Sequence, residues 1–302
     1  MRTRAALLSL ALVLVLAPPA VATFPGRNGE IAVAGDYDSS SDTIWLGGVR
    51  RGLRALPSPC PPGPWDPPWD SCHVDAPDWS PDGTRLAFNS IRRSEPQIWI
   101  VNADGSGLHE VPGANGFRPV WSPDGRRLAF SVDAPDEQDC RFRDLYTVDA
   151  DGSGLTLLAR RADNPDWSVR GEIAFERERG YWTGGDGAEC ALRASIAVMR
   201  PGGEPRRVAA NSGSPSWAPG GRTIAYVSRS GIRRKRIGAD GSGRLLRTHG
   251  SYELAWSPDG RFILFRRSST LGMMDARTGE PRRLGFDAPG IDFSASWQPL
   301  PR

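Results

Sequence analysis

Lysine and histidine are scarce in this chain of 302 residues: Lys235 is the sole lysine among 38 Lys and Arg side chains, and there are three histidines. With a formal net charge of only +3, the arginine excess is nearly balanced, so bulk charge does not point to a nucleic-acid partner. Also missing is any long segment with apolar residues at helical spacing and caps at its ends. With 35 glycines and 27 prolines, the mature chain reads as strands and turns. There is no Gly-x-Ser-x-Gly elbow and no His-Glu-x-x-His pair, and no hydrolase domain follows the last strand. The one long apolar run, Ala5 to Ala17, follows Arg2 and Arg4 and is stopped by Pro18 and Pro19. A membrane span needs about 20 apolar residues, so none is expected. Ala20 and Ala22 at A-x-A spacing make residues 1–22 a secretory signal, cleaved between Ala22 and Thr23. No cysteine follows the run, which argues against a lipid anchor.

Cysteine is limited to four, Cys60, Cys72, Cys140 and Cys190, none of them in a Cys-x-x-Cys pair. Export makes them disulfide candidates rather than metal ligands. Of the three connectivities open to four cysteines, the expected one pairs Cys60 with Cys72 across the Pro-rich "CPPGPWDPPWDSC". Cys140 then pairs with Cys190.

What the chain does have is a repeat. "PDWSPDGTRLAFNS" (77–90) places a tryptophan ahead of a Ser-Pro-Asp-Gly turn and a strand of alternating large and small side chains. Pro presets φ for the first corner of a type I turn, and Ser and Gly suit its entrance and exit. The corner returns in "RPVWSPDGRRLAF" and "ELAWSPDGRFILF", and in degenerate form in "NPDWSVRGEIAF" and "SPSWAPGGRTIAY". The structural tryptophans are Trp79, Trp121, Trp167, Trp217 and Trp256, with Trp297 closing the series. The period of roughly 40–50 residues fits four-stranded propeller blades. Strands B begin near Glu30, Arg85, Arg127, Glu172, Thr223 and Phe262, and strands A end at the six tryptophans. Residues 28–48 lack a preceding Trp corner, and Trp297 lacks a following strand, so the two ends complete one blade. The expectation is an all-β, six-bladed β-propeller of four-stranded antiparallel blades over residues 23–302, its first blade closed by the C-terminal strand. Closure removes the open sheet edges that invite aggregation.

The motifs "WSPDG", "LAF" and "IWIVNADGSG" resemble the WD-like β-propeller repeats of the TolB family, and the resemblance covers essentially the whole mature chain. It implies the propeller architecture. TolB carries an additional N-terminal α/β domain, whereas here the propeller begins within a few residues of the expected cleavage site. The same blade occurs in the propeller domains of prolyl oligopeptidase and tricorn-type proteases, so the motif specifies fold before function.

Other motifs read as architecture. "DADGSG" (149–154) and "NADGSG" (102–107) have no glutamate at the last position of a calcium loop, and Asp-Gly suits the reversal between strands C and D. "RRKR" (233–236) puts Arg234 and Arg236 where the second blade has Ile98 and Ile100, which predicts a solvated or frayed strand, with an anion-contact patch as the alternative. His73 and His249, with Asp75, Asp78 or Glu253, and the isolated His109 lack the convergent spacing of a metal site. Neither metal, cofactor nor catalytic residue is expected. The long insertions 57–75, 132–143 and 176–193 share one rim and carry Trp65, Trp69, Tyr181 and Trp182, the expected ligand-contacting residues. The functional expectation is a secreted, monomeric, non-enzymatic binding module for a protein, peptide or envelope polymer. The alternative is a metal-dependent lactonase or esterase at the channel mouth.

Overall fold

A computed structural model describes residues 25–35, 43–48, 51–60, 72–92, 95–134, 142–182, 190–247, 252–267, 270–284 and 294–301. Residues 1–24, where the signal is expected, and Trp65, Trp69, Cys140 and His249 lie outside the described residues, as do the side chains of Tyr181, Trp182 and Cys190.

Six four-stranded antiparallel sheets form the ring. In blade 2 the strand order A to D is Cys72–Trp79, Arg85–Arg92, Glu95–Asn102 and His109–Glu110. Blades 3 to 6 repeat it, opening with Phe117–Trp121, Ala162–Trp167, Ser212–Trp217 and Tyr252–Trp256. Blade 1 takes strand A from the C-terminus: Ala295–Leu300 pairs antiparallel with Arg27–Gly35. The closure expected from the two incomplete ends is thus present. It continues below Trp297, where Gln298 Nε2 donates to Gly83 O at 2.8 Å and Glu30 N–H donates to Gln298 Oε1 at 3.1 Å.

Each A-to-B corner is built as its residues dictate. Gly83, Gly125 and Gly260 N–H donate to the carbonyls of Ser80, Ser122 and Ser257 three residues back, with φ of 70, 66 and 71° at the glycines, values that side chains bearing a Cβ rarely adopt. Each serine hydroxyl donates to the turn aspartate at 2.6 Å and accepts the N–H of the residue that starts strand B. At Asp82 burial works against the charge, but the donors Ser80 and Thr84 prevail and hold the carboxyl below its usual range. In the C-to-D turns, Asp104 and Asp151 accept from Ser106 and Ser153, so these aspartates serve the reversal.

No single core exists. Six apolar clusters lie between successive blades, each holding one repeat tryptophan: Trp79 packs on Ala34, Ile44 and Leu46 of blade 1, and Trp297 on Leu264 and Met273 of blade 6. A blade buries its faces only against neighbours, which is why the repeats must close on themselves. Arginines at the start of strand B cap the next tryptophan, with the Arg85 guanidinium 4.4 Å from the Trp121 ring centre, a cation–π contact.

Two local expectations change. The "RRKR" run is not frayed: Gly231–Arg236 is a regular strand C paired on both edges. Its register makes Ile232, fully buried, the counterpart of Ile98, and places Arg234 where Ile100 sits in blade 2. Arg234 spends its charge on the carbonyl of Ala276 in blade 6, 3.0 Å away. The insertion 176–193 is largely strand, because Ile173–Trp182 and Cys190–Met199 form one extended hairpin that includes the backbones of Tyr181 and Trp182.

Candidate functional site at the channel mouth

The six strands A line the central channel, and their sequences carry a second pattern ahead of each tryptophan: "APDW", "RPVW", "NPDW", "SPSW", "ELAW" and "SASW". Proline stands two residues before Trp in four of them. Strand A pairs on one edge only, so a residue without an N–H is tolerated there or at a bulge. A bulge is what forms: the A–B register shifts between Asp75 and Asp78, Phe117 and Val120, Asp163 and Asp166, Gly213 and Ser216, and Tyr252 and Leu254.

At every bulge the residue three before Trp is left-handed. Ala76, Arg118, Asn164, Ser214 and Glu253 have φ between 49 and 53°, and none is a glycine. Such conformations cost of order 1–3 kcal/mol each and persist where the surroundings over-determine them. Here side chains supply the constraint by accepting the displaced N–H groups. Arg118 N–H donates to Asn89 Oδ1 at 3.0 Å and Ser214 N–H to Glu176 Oε1 at 2.8 Å. Asn164 N–H donates to Asp163 Oδ1 at 2.6 Å, Glu253 N–H to Ser214 Oγ at 3.3 Å, and Ala76 N–H to Asp75 Oδ1 and Ser294 Oγ. The five left-handed residues, with Ser294 of blade 1, line a cavity of about 130 Å³ on the axis. Strand A runs from the long-connection rim toward the Ser-Pro-Asp-Gly turns, so the ring lies toward the former.

Charge is concentrated at this ring. Arg118 pairs with Asp163 at 2.9 Å, and Arg143 reaches the same carboxylate at 3.1 Å. Burial alone would raise Asp163, but the two guanidinium groups outweigh it and hold the carboxyl below its usual range. Burial likewise opposes the Arg118 charge, and Asp163, Glu253, Asp75 and Glu176 more than compensate. Glu176 is raised by burial, and Glu178 is pushed up to about 7 by burial and by the neighbouring charges of Asp163 and Glu176. One residue before Trp, a deeper tier holds Asp78 and Asp166. Their carboxylates accept the Trp121 and Trp217 N–H groups of the next blade. Burial pushes Asp78 to about 7 and Asp166 to about 8, the latter aided by the charge of Asp78.

The geometry presents the held cation of Arg118 on the cavity wall with Arg143 behind it, several carboxylates, and the hydroxyl and amide groups of Ser214, Ser294 and Asn164. It suits recognition of a polar, charged group by hydrogen bonds and ion pairs. Among the described residues no group of three or more His, Cys, Asp or Glu is arranged to hold a metal. Cys60 and Cys72 are bonded, with Cα atoms 5.5 Å apart, as expected. The pairing of Cys140 with Cys190 falls outside the described residues, and so do the contacts of Trp65, Trp69, Tyr181 and Trp182.

Residues 70–251 match the TolB beta propeller domain family. The chain belongs to that family. Among curated proteins it is similar to an uncharacterized protein, Atu1656, of Agrobacterium fabrum, 34% identical over 121 residues, which span 34% of this chain and 39% of that protein. It is also similar to the Tol-Pal system protein TolB of Syntrophus aciditrophicus, 50% identical over 36 residues, or 12% of this chain and 8% of that protein. The matches thus span well under half of these curated relatives. Among solved structures, TolB from Acinetobacter baumannii superposes with a TM-score of 0.68 at 17% identity, over 91% of this chain and 68% of that one, a likeness of fold. Membership in the family is consistent with a binding or scaffold role. No helix among the described residues is long and apolar enough to cross a membrane.

Proposed function

We propose that this propeller is an exported, non-enzymatic binding module that engages a protein, peptide or envelope component at the long-connection rim. The observation that supports the reading is the ring of left-handed, non-glycine residues at one repeat position. Five strained residues in register, each held by a dedicated acceptor, give a rigid polar mouth. A rigid mouth fixes charge with little left to order on binding. Arg118 and Glu253 supply the charged contacts, and the insertions bearing Trp65, Trp69, Tyr181 and Trp182 supply aromatic anchors around them. Export accords with the bonded Cys60 and Cys72, since disulfides persist in oxidising compartments.

The test is capture from the native cell surface by the mature chain. Three proteins are compared: wild type, Trp65, Trp69 and Trp182 together changed to Ser, and Arg118→Gln with Glu253→Gln. Loss of the captured component in both variants, measured on the folded fraction of each, is the expected result. Undiminished capture by both removes this rim as the binding face. Turnover of ester or lactone substrates by the purified protein replaces the reading with that of a propeller enzyme.

A further inference from the structure

Two hollows flank the outermost strand of blade 4, Arg206–Ala210, away from the channel axis. One, of about 670 Å³, is lined by Arg177, Arg193 and Arg207 with Ser195 and Asn211. The other, of about 580 Å³, is lined by Arg207, Arg229 and Arg233 with Ser212, Ser228, Ser230, Ser242 and Asn211. Arg207 and Asn211 belong to both, so the hollows adjoin. Among the described residues no carboxylate lines either of them, and Asp163, Glu176 and Glu253 line a third hollow that leads on to the channel.

The local sequence explains why the surface stays open. Asn211 alone connects blades 4 and 5, between strands ending at Ala210 and beginning at Ser212, and it achieves this in a left-handed conformation with φ 49°. A one-residue connection places no loop between strands D and A over the basic groups. Among the described residues, the guanidinium groups of Arg177, Arg207 and Arg229 form no ion pair or hydrogen bond. Arg233 is oriented by Ser230 Oγ, Ser242 Oγ and Gly243 O at 2.9–3.2 Å, so its charge is fixed at the wall of the second hollow. Clustered cations such as Arg177, Arg207 and Arg229 create a field that attracts anions, and the arginine fork matches carboxylate and phosphate oxygens.

We infer that the two hollows form a binding site for an anionic glycan, a polysaccharide whose sugars carry carboxylate or phosphate groups. Hydroxyl and amide groups between the cations match sugar hydroxyls, which both donate and accept. Among the described residues the lining holds no exposed aromatic face of the kind on which single-stranded nucleic acid stacks: Tyr226 is buried and its hydroxyl is bonded to Ser242 O. Nor do the described residues of the lining supply the large exposed apolar side chains that anchor a protein partner or insert into a bilayer. The two hollows adjoin the third, which opens toward the channel mouth and shares Arg193, Arg229, Asn211 and Ser212 with them, and the inference goes beyond the reading given to that mouth.

The experiment titrates the mature chain with polygalacturonate, a phosphomannan, neutral dextran, poly-L-glutamate and oligodeoxythymidine at low and physiological salt. Polygalacturonate or the phosphomannan is expected to bind, and the comparison tells carboxylate from phosphate. Binding should weaken with salt and fall roughly tenfold or more in Arg207→Glu with Arg229→Glu. Both arginines are exposed, so the variant should keep its melting temperature. A second variant, Arg177→Glu, tests the other hollow separately and should also weaken binding. The inference is overturned if neither anionic glycan binds above dextran, if both variants bind as wild type, or if poly-L-glutamate or oligodeoxythymidine binds more tightly.

Discussion

Changing Asp166 to Asn should stabilise this protein at alkaline pH. The carboxyl sits in the deeper tier of the channel, accepts the Trp217 N–H, and is pushed by burial from 3.8 to about 8. A group whose folded pKa lies above its unfolded value holds its proton more tightly in the folded state, so stability is fully present below the unfolded pKa and is lost as pH rises. The window runs from pH 3.8 to about 8 for Asp166 and from 3.8 to about 7 for Asp78. At about 1.4 kcal/mol per tenfold change in proton affinity, ionising Asp166 costs at most roughly 5–6 kcal/mol. Relaxation and water in the channel reduce this, so the net gain of the variant at pH 9 is about 1–3 kcal/mol. Asn keeps the size and the carbonyl acceptor for Trp217 and removes the titration. Carboxylates held low, such as Asp163, Asp82 and Asp124, act in the opposite sense, and their contribution disappears as pH falls below about 3.8. Wild-type stability should therefore peak near about pH 4 and decline as pH rises toward about 8. Urea unfolding at pH 5, 7 and 9 measures both curves. Equal loss of stability with pH in wild type and Asp166→Asn would refute the reasoning.

Closure, disulfide bonding and export give further predictions. Deleting residues 290–302 removes the strand that pairs with Arg27–Gly35 and should unfold the ring cooperatively, while Trp297→Ala alone should cost about 3–5 kcal/mol; calorimetry that returns the wild-type melting temperature for the deletion contradicts closure. Breaking Cys60–Cys72 by Cys60→Ser with Cys72→Ser should cost roughly 3 kcal/mol from the closed loop, measured as a urea-midpoint shift. Non-reducing peptide maps should also return Cys140 with Cys190, and a Cys72–Cys140 peptide would reject the pairing. Exported protein should begin at Thr23 by N-terminal sequencing, and an intact Met1 on folded exported material would sink the signal reading.

Fold and closure were legible because each blade repeats a strong local signal: Trp, a Ser-Pro-Asp-Gly corner, and a period-two strand. The bulged ring was harder to read. Its trace was the proline two residues before Trp in "APDW", "RPVW", "NPDW" and "SPSW", which reports a strand interior that needs no N–H but does not announce a left-handed neighbour. The "RRKR" register was off by two, because a run of cations hides which position is the inward one; only the pairing of Val227 with Ile232 fixes it. The 176–193 insertion is hard to read because "ERERGYWTGG" lacks clean alternation, yet strands B and C extend into it, to Trp182 and from Cys190, by pairing with each other. Asp78 and Asp166 acquire their proton affinity from burial between blades, a property of the assembled ring that no single repeat contains.

Hydrogen exchange on the mature chain, free and saturated with the component it captures from the cell surface, tests the binding claim most directly. Slowed exchange should be confined to peptides holding Ala76, Arg118, Asn164, Ser214 and Glu253 and to the long connections above them. Protection on the Ser-Pro-Asp-Gly turns, with the ring peptides unchanged, would contradict the account.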